Sequence, residues 1–151
     1  MSISRVEVAA ALRDGGLRVT APRVAVLSEL IQGKHMTADE VAMAVRAQIG
    51  TISTQAVYDV LAALAGRGLV RRIEPAGSPA RYETRVGDNH HHVVCRCCGA
   101  IADIDCVVGE APCLSTADAG GFVIDEAEVT FWGLCPACQT TSKSEQKESA
   151  P

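Results

Sequence analysis

Seven cysteines and four histidines stand out in this 151-residue chain, and their spacing is not random. Cys95-Arg-Cys97-Cys98 contains one Cys-x-x-Cys pair and Cys135-Pro-Ala-Cys138 contains a second. Each pair puts two thiolates on one tight turn. Two such turns meeting give four sulfurs in the closed tetrahedral set that Zn²⁺ takes in structural sites. Gly99 after the first pair and Pro136 inside the second suit knuckle turns. The alternative is a pair of redox dithiols or inert thiols. Cys97 replaces Cys98 only with poorer spacing, and Cys97, Cys106 and Cys113 are left over as spare thiols. Just upstream lies Asp88-Asn-His90-His91-His92. Side chains two apart on a strand share a face, so His90 and His92 point together and His91 points away. Two imidazoles on one face can bind a transition metal. Taken alone, the triplet reads equally well as the polar start of a strand.

These groups need elements to position them. The first half of the chain has helical periodicity. Val6, Ala9, Ala10 and Arg13 begin a short helix that stops at Gly15-Gly16. Thr20 caps a second helix, with Pro22 in its first turn, where a missing N–H costs little. Val24, Leu27, Leu30 and Ile31 give it an apolar stripe. Thr37-Ala-Asp-Glu40 reads as a capping box opening a third helix, with Val41 and Val45 apolar. A fourth helix starts at Ser53, buries Val57, Val60, Leu61 and Leu64, and ends at Gly66 and Gly68. The period then shortens. Leu69–Ile73 and Arg81–Arg85 read as strands around the turn at residues 75–79. Helices followed by a hairpin are the pattern of a winged helix. Further on, His92–Cys95 and Ile101–Ile104 read as strands. Residues 126–131 alternate as a half-buried strand, and Leu114–Ala119 as a short helix. The polar stretch from Thr140 to the C-terminus reads as a disordered tail.

Charge divides the chain at the same place as the chemistry. Residues 1–86 hold eleven basic and eight acidic side chains, whereas residues 87–151 hold three basic and ten acidic. All seven cysteines and three of the four histidines fall in the acidic part. A basic module on phosphate and an acidic one held away from it account for both the distribution and the net charge of -4. The expected fold is therefore α+β. A winged-helix DNA-binding domain spans residues 1–86, a small α/β zinc-stapled dimerisation and metal-binding domain 87–140, and a disordered tail 141–151. Aromatic residues are only 3 %, so aliphatic side chains must fill the core. The N-terminus lacks the apolar centre of a signal peptide and no run is long enough to span a bilayer. A cytoplasmic location with reduced thiols is expected, with no membrane partner and no small-molecule substrate.

These features together resemble the ferric uptake regulator (Fur) family, over about residues 12–138. Gly16-Leu-Arg-Val-Thr-Ala-Pro-Arg23 resembles its N-terminal signature. His35-Met-Thr-Ala-Asp-Glu40 and Ser53-Thr-Gln-Ala-Val-Tyr58 resemble its next two blocks. His90-x-His92-x-x-Cys95-x-x-Cys98-Gly99 is the most specific match. Within the family, the likeness is strongest to a subgroup linked to catalase-peroxidase genes. The resemblance implies a structural zinc on Cys95, Cys98, Cys135 and Cys138. It also implies a regulatory cation on His35, Glu83, His90, His92 and Asp103. That N/O donor set suits Fe²⁺ or Mn²⁺, and Zn²⁺ can occupy it. No cysteine lies in residues 82–89, where the zinc-sensing members carry one. A third site in some members would use His91 and Glu110, but Asn89 and Ala127 stand where histidines are expected, so it should be absent or weak.

The resemblance also implies a homodimer on double-stranded operator DNA, repressing transcription when the regulatory cation is bound. The fourth helix would enter the major groove, with Gln55 and Tyr58 facing the bases. Arg18 matches a basic residue that reaches the minor groove. Arg23, Arg71 and Arg72 are phosphate candidates. Asp59 departs from the arginine common in the family after that tyrosine. The signal would be iron, peroxide or both. Oxidation of cysteines is an alternative trigger. A zinc-dependent hydrolase or deaminase is disfavoured, because a four-thiolate site has no open position and the His-x-Glu motif of deaminases is missing.

Overall fold

A computed structural model describes residues 3–88, 90–105, 120–123 and 128–147, with the backbone alone for 142–147. The chain divides into two compact units, Met1–Asp88 and Asn89–Pro151.

In the first unit, caps fix where each helix starts. Helix α1 (Arg5–Asp14) opens on a capping box. Ser4 Oγ accepts from the Glu7 N–H, and the Glu7 carboxylate accepts from the Ser4 N–H at 2.7 Å. Helix α2 (Ala21–Gly33) starts at Thr20, and Pro22 lies in its first turn. Strand β1 (Met36–Thr37) leads directly into α3 (Ala38–Ile49). Thr37 Oγ1 accepts from the Glu40 N–H at 3.2 Å and Glu40 accepts from the Thr37 N–H at 2.7 Å. The expected box is thus formed, and it satisfies donors that would otherwise be orphaned at the helix start. Ser53 caps α4 (Thr54–Gly66).

Strands β2 (Arg71–Ile73) and β3 (Arg81–Glu83) form the hairpin. Both are shorter than the spans expected from residues 69–73 and 81–85. The short β1 adds to the hairpin, giving a three-stranded antiparallel sheet in the order β1-β3-β2. A two-residue strand has no readable period, so β1 leaves no sequence signal. The core is aliphatic. Val8, Leu12, Val26, Leu30, Val41, Val45, Val57, Leu61 and Leu64 are fully buried across α1 to α4. This is the winged-helix arrangement.

In the second unit, β4 (His91–Cys95) is the central strand. It pairs antiparallel with β5 (Ile101–Ile104) and parallel with β6 (Thr130–Gly133). The strand anticipated over residues 126–131 starts only at Thr130, with Glu128 and Val129 outside it, and runs two residues further, to Gly133. Helix α5 (Pro136–Lys147) follows, with Pro136 at its start. Residues 141–147, at the start of the stretch expected to be a tail, continue α5. The expected helix at Leu114–Ala119 lies outside the described residues. Among the described residues, no helix is long and apolar enough to cross a membrane.

Candidate metal centres

The parallel pairing of β4 with β6 builds the thiol cluster. It sets Cys95 opposite Gly133, and the Arg96 N–H donates to the Gly133 carbonyl at 2.8 Å. The second Cys-x-x-Cys pair begins two residues later, so both knuckles meet at the end of the sheet. The first knuckle is closed by Gly99 N–H to the Cys95 carbonyl at 2.9 Å and by Cys95 N–H to the Ala100 carbonyl at 2.8 Å. Gly99 has φ +74°, a conformation its missing Cβ permits. The sulfurs of Cys95, Cys98, Cys135 and Cys138 all lie within 4.8 Å of one another. Cys98 Sγ and Cys135 Sγ are 3.7 Å apart. Thiolates around a tetrahedral Zn²⁺ at about 2.3 Å sit about 3.8 Å apart, so the cluster fits zinc. The N–H of Cys98 and then that of Cys135, the latter 3.3 Å from the sulfur, hold the Cys95 thiol down at about pKa 6. Cys95 is therefore poised as a thiolate, the form that ligates metal. Cys97 is exposed. Cys106 and Cys113 lie outside the described residues.

The second donor set is divided between the two units, with His35 and Glu83 in the first and His90, His92 and Asp103 in the second. In the first unit, the antiparallel ladder pairs Met36 with Tyr82 and Arg71 with Glu83. His35 precedes Met36, and its Nε2 lies 2.9 Å from Glu83 Oε2. Both residues are buried, Glu83 to 2 % exposure and His35 to 8 %. The chain enters this position through Lys34, a non-glycine residue with φ +50°. Gly33 before it has no room for a side chain, because a Cβ there would overlap the Met36 thioether. In the second unit, His90 and His92 share a face as expected. Their Nε2 atoms are 3.1 Å apart, and both residues are buried. The β4–β5 register sets Asp103 opposite His92. Asp103 Oδ1 is 3.6 Å from His92 Nε2 and 3.8 Å from His90 Nε2. Those two distances are too long for hydrogen bonds, and they suit ligands converging on an ion. His91 turns away, half-buried, with its ring 6.4 Å from that of Phe131. Asn89, Glu110 and Ala127 of the third site lie outside the described residues.

Two contributors escaped the sequence reading. Arg81 Nη1 donates to the His35 carbonyl at 3.1 Å, clamping the backbone of that histidine from the neighbouring strand. Only the β1–β3 pairing places it there, and no local signal announces it. Gln55 Nε2 donates to Asp59 Oδ1 at 2.9 Å on α4. Their four-residue spacing could have revealed that contact. Gln55 and Tyr58 are exposed on α4 as anticipated. Arg18 is exposed, and its carbonyl accepts from Arg23 Nη1 at 2.9 Å. Arg72 pairs with Glu74 at 2.9 Å, an exposed contact worth little. Arg71 is partly buried on β2.

A winged-helix unit, followed by a second unit with a tetrathiolate cluster and buried histidines, defines a metal-dependent transcriptional regulator. The chain belongs to the ferric uptake regulator family, whose model matches residues 14–132. It is 59 % identical over 133 residues to the transcriptional regulator FurA of Mycobacterium tuberculosis, covering 88 % of this chain and 90 % of that one. Among solved structures, it resembles the Vibrio cholerae ferric uptake regulator with a TM-score of 0.69 and 28 % identity. That match covers 84 % of this chain and 98 % of that one. The iron-bound regulator of Francisella tularensis matches with a TM-score of 0.69 and 26 % identity, covering 82 % and 96 %.

Proposed function

We propose that this chain forms a homodimer that represses transcription by binding operator DNA when a cation occupies its histidine–carboxylate set. The observation that carries this reading is the state of the two donor groups. His35 and Glu83 are buried together at 2.9 Å in the winged-helix unit. His90, His92 and Asp103 converge in the other. Either group alone leaves several positions of a six-coordinate ion to water, so a cation drawing on both would gain protein ligands in place of water. Such a cation favours the conformation that offers all of them, and only by its difference in affinity between conformations. The tetrathiolate cluster holds a structural Zn²⁺ that supplies folding free energy to its unit. The protein reads DNA through α4, with Arg18, Arg23, Arg71 and Arg72 on the backbone. Two copies are needed because one helix reads too few base pairs. It catalyses no turnover and acts in the cytoplasm, where its operators are.

The donor chemistry favours Fe²⁺ or Mn²⁺, and Fe²⁺ brings a second input. Held by these residues, a ferrous ion would supply electrons for the reduction of peroxide, and the imidazoles of His35, His90 and His92 would be the groups exposed to the oxidant formed there. DNA binding should be titrated against Fe²⁺, Mn²⁺ and Zn²⁺ on protein already holding its structural zinc, with and without peroxide. The expected outcome is metal-dependent binding that His92→Ala abolishes while the zinc content stays unchanged. Equal binding by the wild type with and without added metal overturns the reading. Retained DNA binding after peroxide treatment of the iron form, with no oxygen added to His35, His90 or His92, removes the peroxide input.

A further inference from the structure

The outward face of α4 is chemically unusual for an element that meets DNA. Thr54, Gln55, Tyr58, Asp59 and Ala62 are exposed on it, and the helix has no Lys or Arg anywhere from Thr54 to Gly66. Its one formal charge is the Asp59 carboxylate, which phosphate repels. A carboxylate survives there only by facing hydrogen-bond donors. In the major groove those are the exocyclic amines, N4 of cytosine and N6 of adenine. Guanine presents N7 and O6, and thymine O4, all of them acceptors that a carboxylate repels.

The hydrogen bond between Gln55 and Asp59 settles how the two side chains divide the work. Gln55 Nε2 gives one hydrogen to Asp59 Oδ1 at 2.9 Å. That fixes the amide orientation and leaves Oε1 and the second N–H free to face a base. An acceptor and a donor side by side are the pattern that pairs bidentately with adenine N6 and N7. Asp59 keeps Oδ2 as an outward acceptor. The bond keeps the two side chains side by side, so that they face neighbouring base pairs together.

We infer that Asp59 is a specificity-determining residue: bonded to Gln55, it accepts from the N4 amine of a cytosine next to the adenine that Gln55 reads. The inference rests on the DNA-binding reading above and adds the base composition at the centre of α4 contact. Cytosine is favoured, and the guanine and thymine at that position are rejected by repulsion.

The test is selection from a random duplex library by Mn²⁺-loaded protein holding its zinc, followed by competition binding at one fixed salt concentration. The wild type should select an adenine beside a cytosine in each half-site and discriminate against guanine and thymine at the cytosine position by about tenfold. Asp59→Ala, at an exposed position of a helix that alanine favours, should accept all four bases there within about twofold. Its discrimination elsewhere in the site should persist. Gln55→Ala should blur the adenine position as well. If Asp59→Ala tightens binding to every duplex equally and keeps the base preference, the residue acts on phosphate alone and the inference is wrong. If the metal-loaded wild type binds no duplex in the library, the DNA-binding reading itself fails.

Discussion

The two units are held together by different forces. Every fully buried apolar residue among those described belongs to the winged-helix unit, except Val94 and Cys95. That unit has an aliphatic core spread over four helices, with caps at each helix start. The second unit has a three-stranded sheet whose buried residues are chiefly His90, His92, Val94 and Cys95. With so few apolar side chains buried among the described residues of that unit, a metal joining the two cysteine knuckles would supply a large share of its folding free energy. The lesson is a division of labour, in which the hydrophobic effect shapes the reading unit and ligand chemistry shapes the other.

Removing zinc should separate the two most sharply. Chelation, or Cys135→Ser, takes away a binding free energy on the order of 10 kcal/mol. Amide exchange at Val93, Val94 and Thr130–Gly133 should lose protection, while Val57, Leu61 and Leu64 keep theirs. Simultaneous loss in both units would show that the winged helix leans on the zinc as well. The converse change is Leu61→Ala, which opens a cavity in a side chain with no solvent exposure. It should destabilise the first unit by about 2–5 kcal/mol in denaturant titration, with zinc content unaltered. Loss of zinc in that variant would mean the cores are coupled.

The smallest effect concerns pH. The Cys95 thiol is held at about 6 by N–H groups of its own knuckle and of Cys135. A depressed thiol pKa adds stability that is present above the ordinary thiol value and is lost as pH falls through about 6. In metal-free protein, thiolate absorbance assigned by difference from Cys95→Ser should therefore titrate near pH 6. A midpoint in the ordinary thiol range would mean that the knuckle geometry forms only around the metal.

Much of this was legible beforehand, for local reasons. Thr20, Thr37 and Ser53 mark helix starts because a cap and its target lie within three residues. The stripe Val57, Leu61, Leu64 repeats at the helical period. His90 and His92 could be placed on one face because a strand alternates. The cysteine spacing announced both knuckles. Where expectation and structure differ, the signal was weak: the two-residue β1 has no readable period, and β6 runs to Gly133, past the alternation that announced it.

Residue types and local spacing fix which side chains are available for metal and for bases, and in which direction short segments present them. Which segments meet depends on long-range packing. Parallel pairing of β4 with β6 brings together thiols forty residues apart, and the two-residue β1 beside β3 sets His35 against Glu83. A period or a cap is a property of near neighbours. A pairing between distant strands is fixed by the packing of everything around it, so no short stretch of chain encodes it.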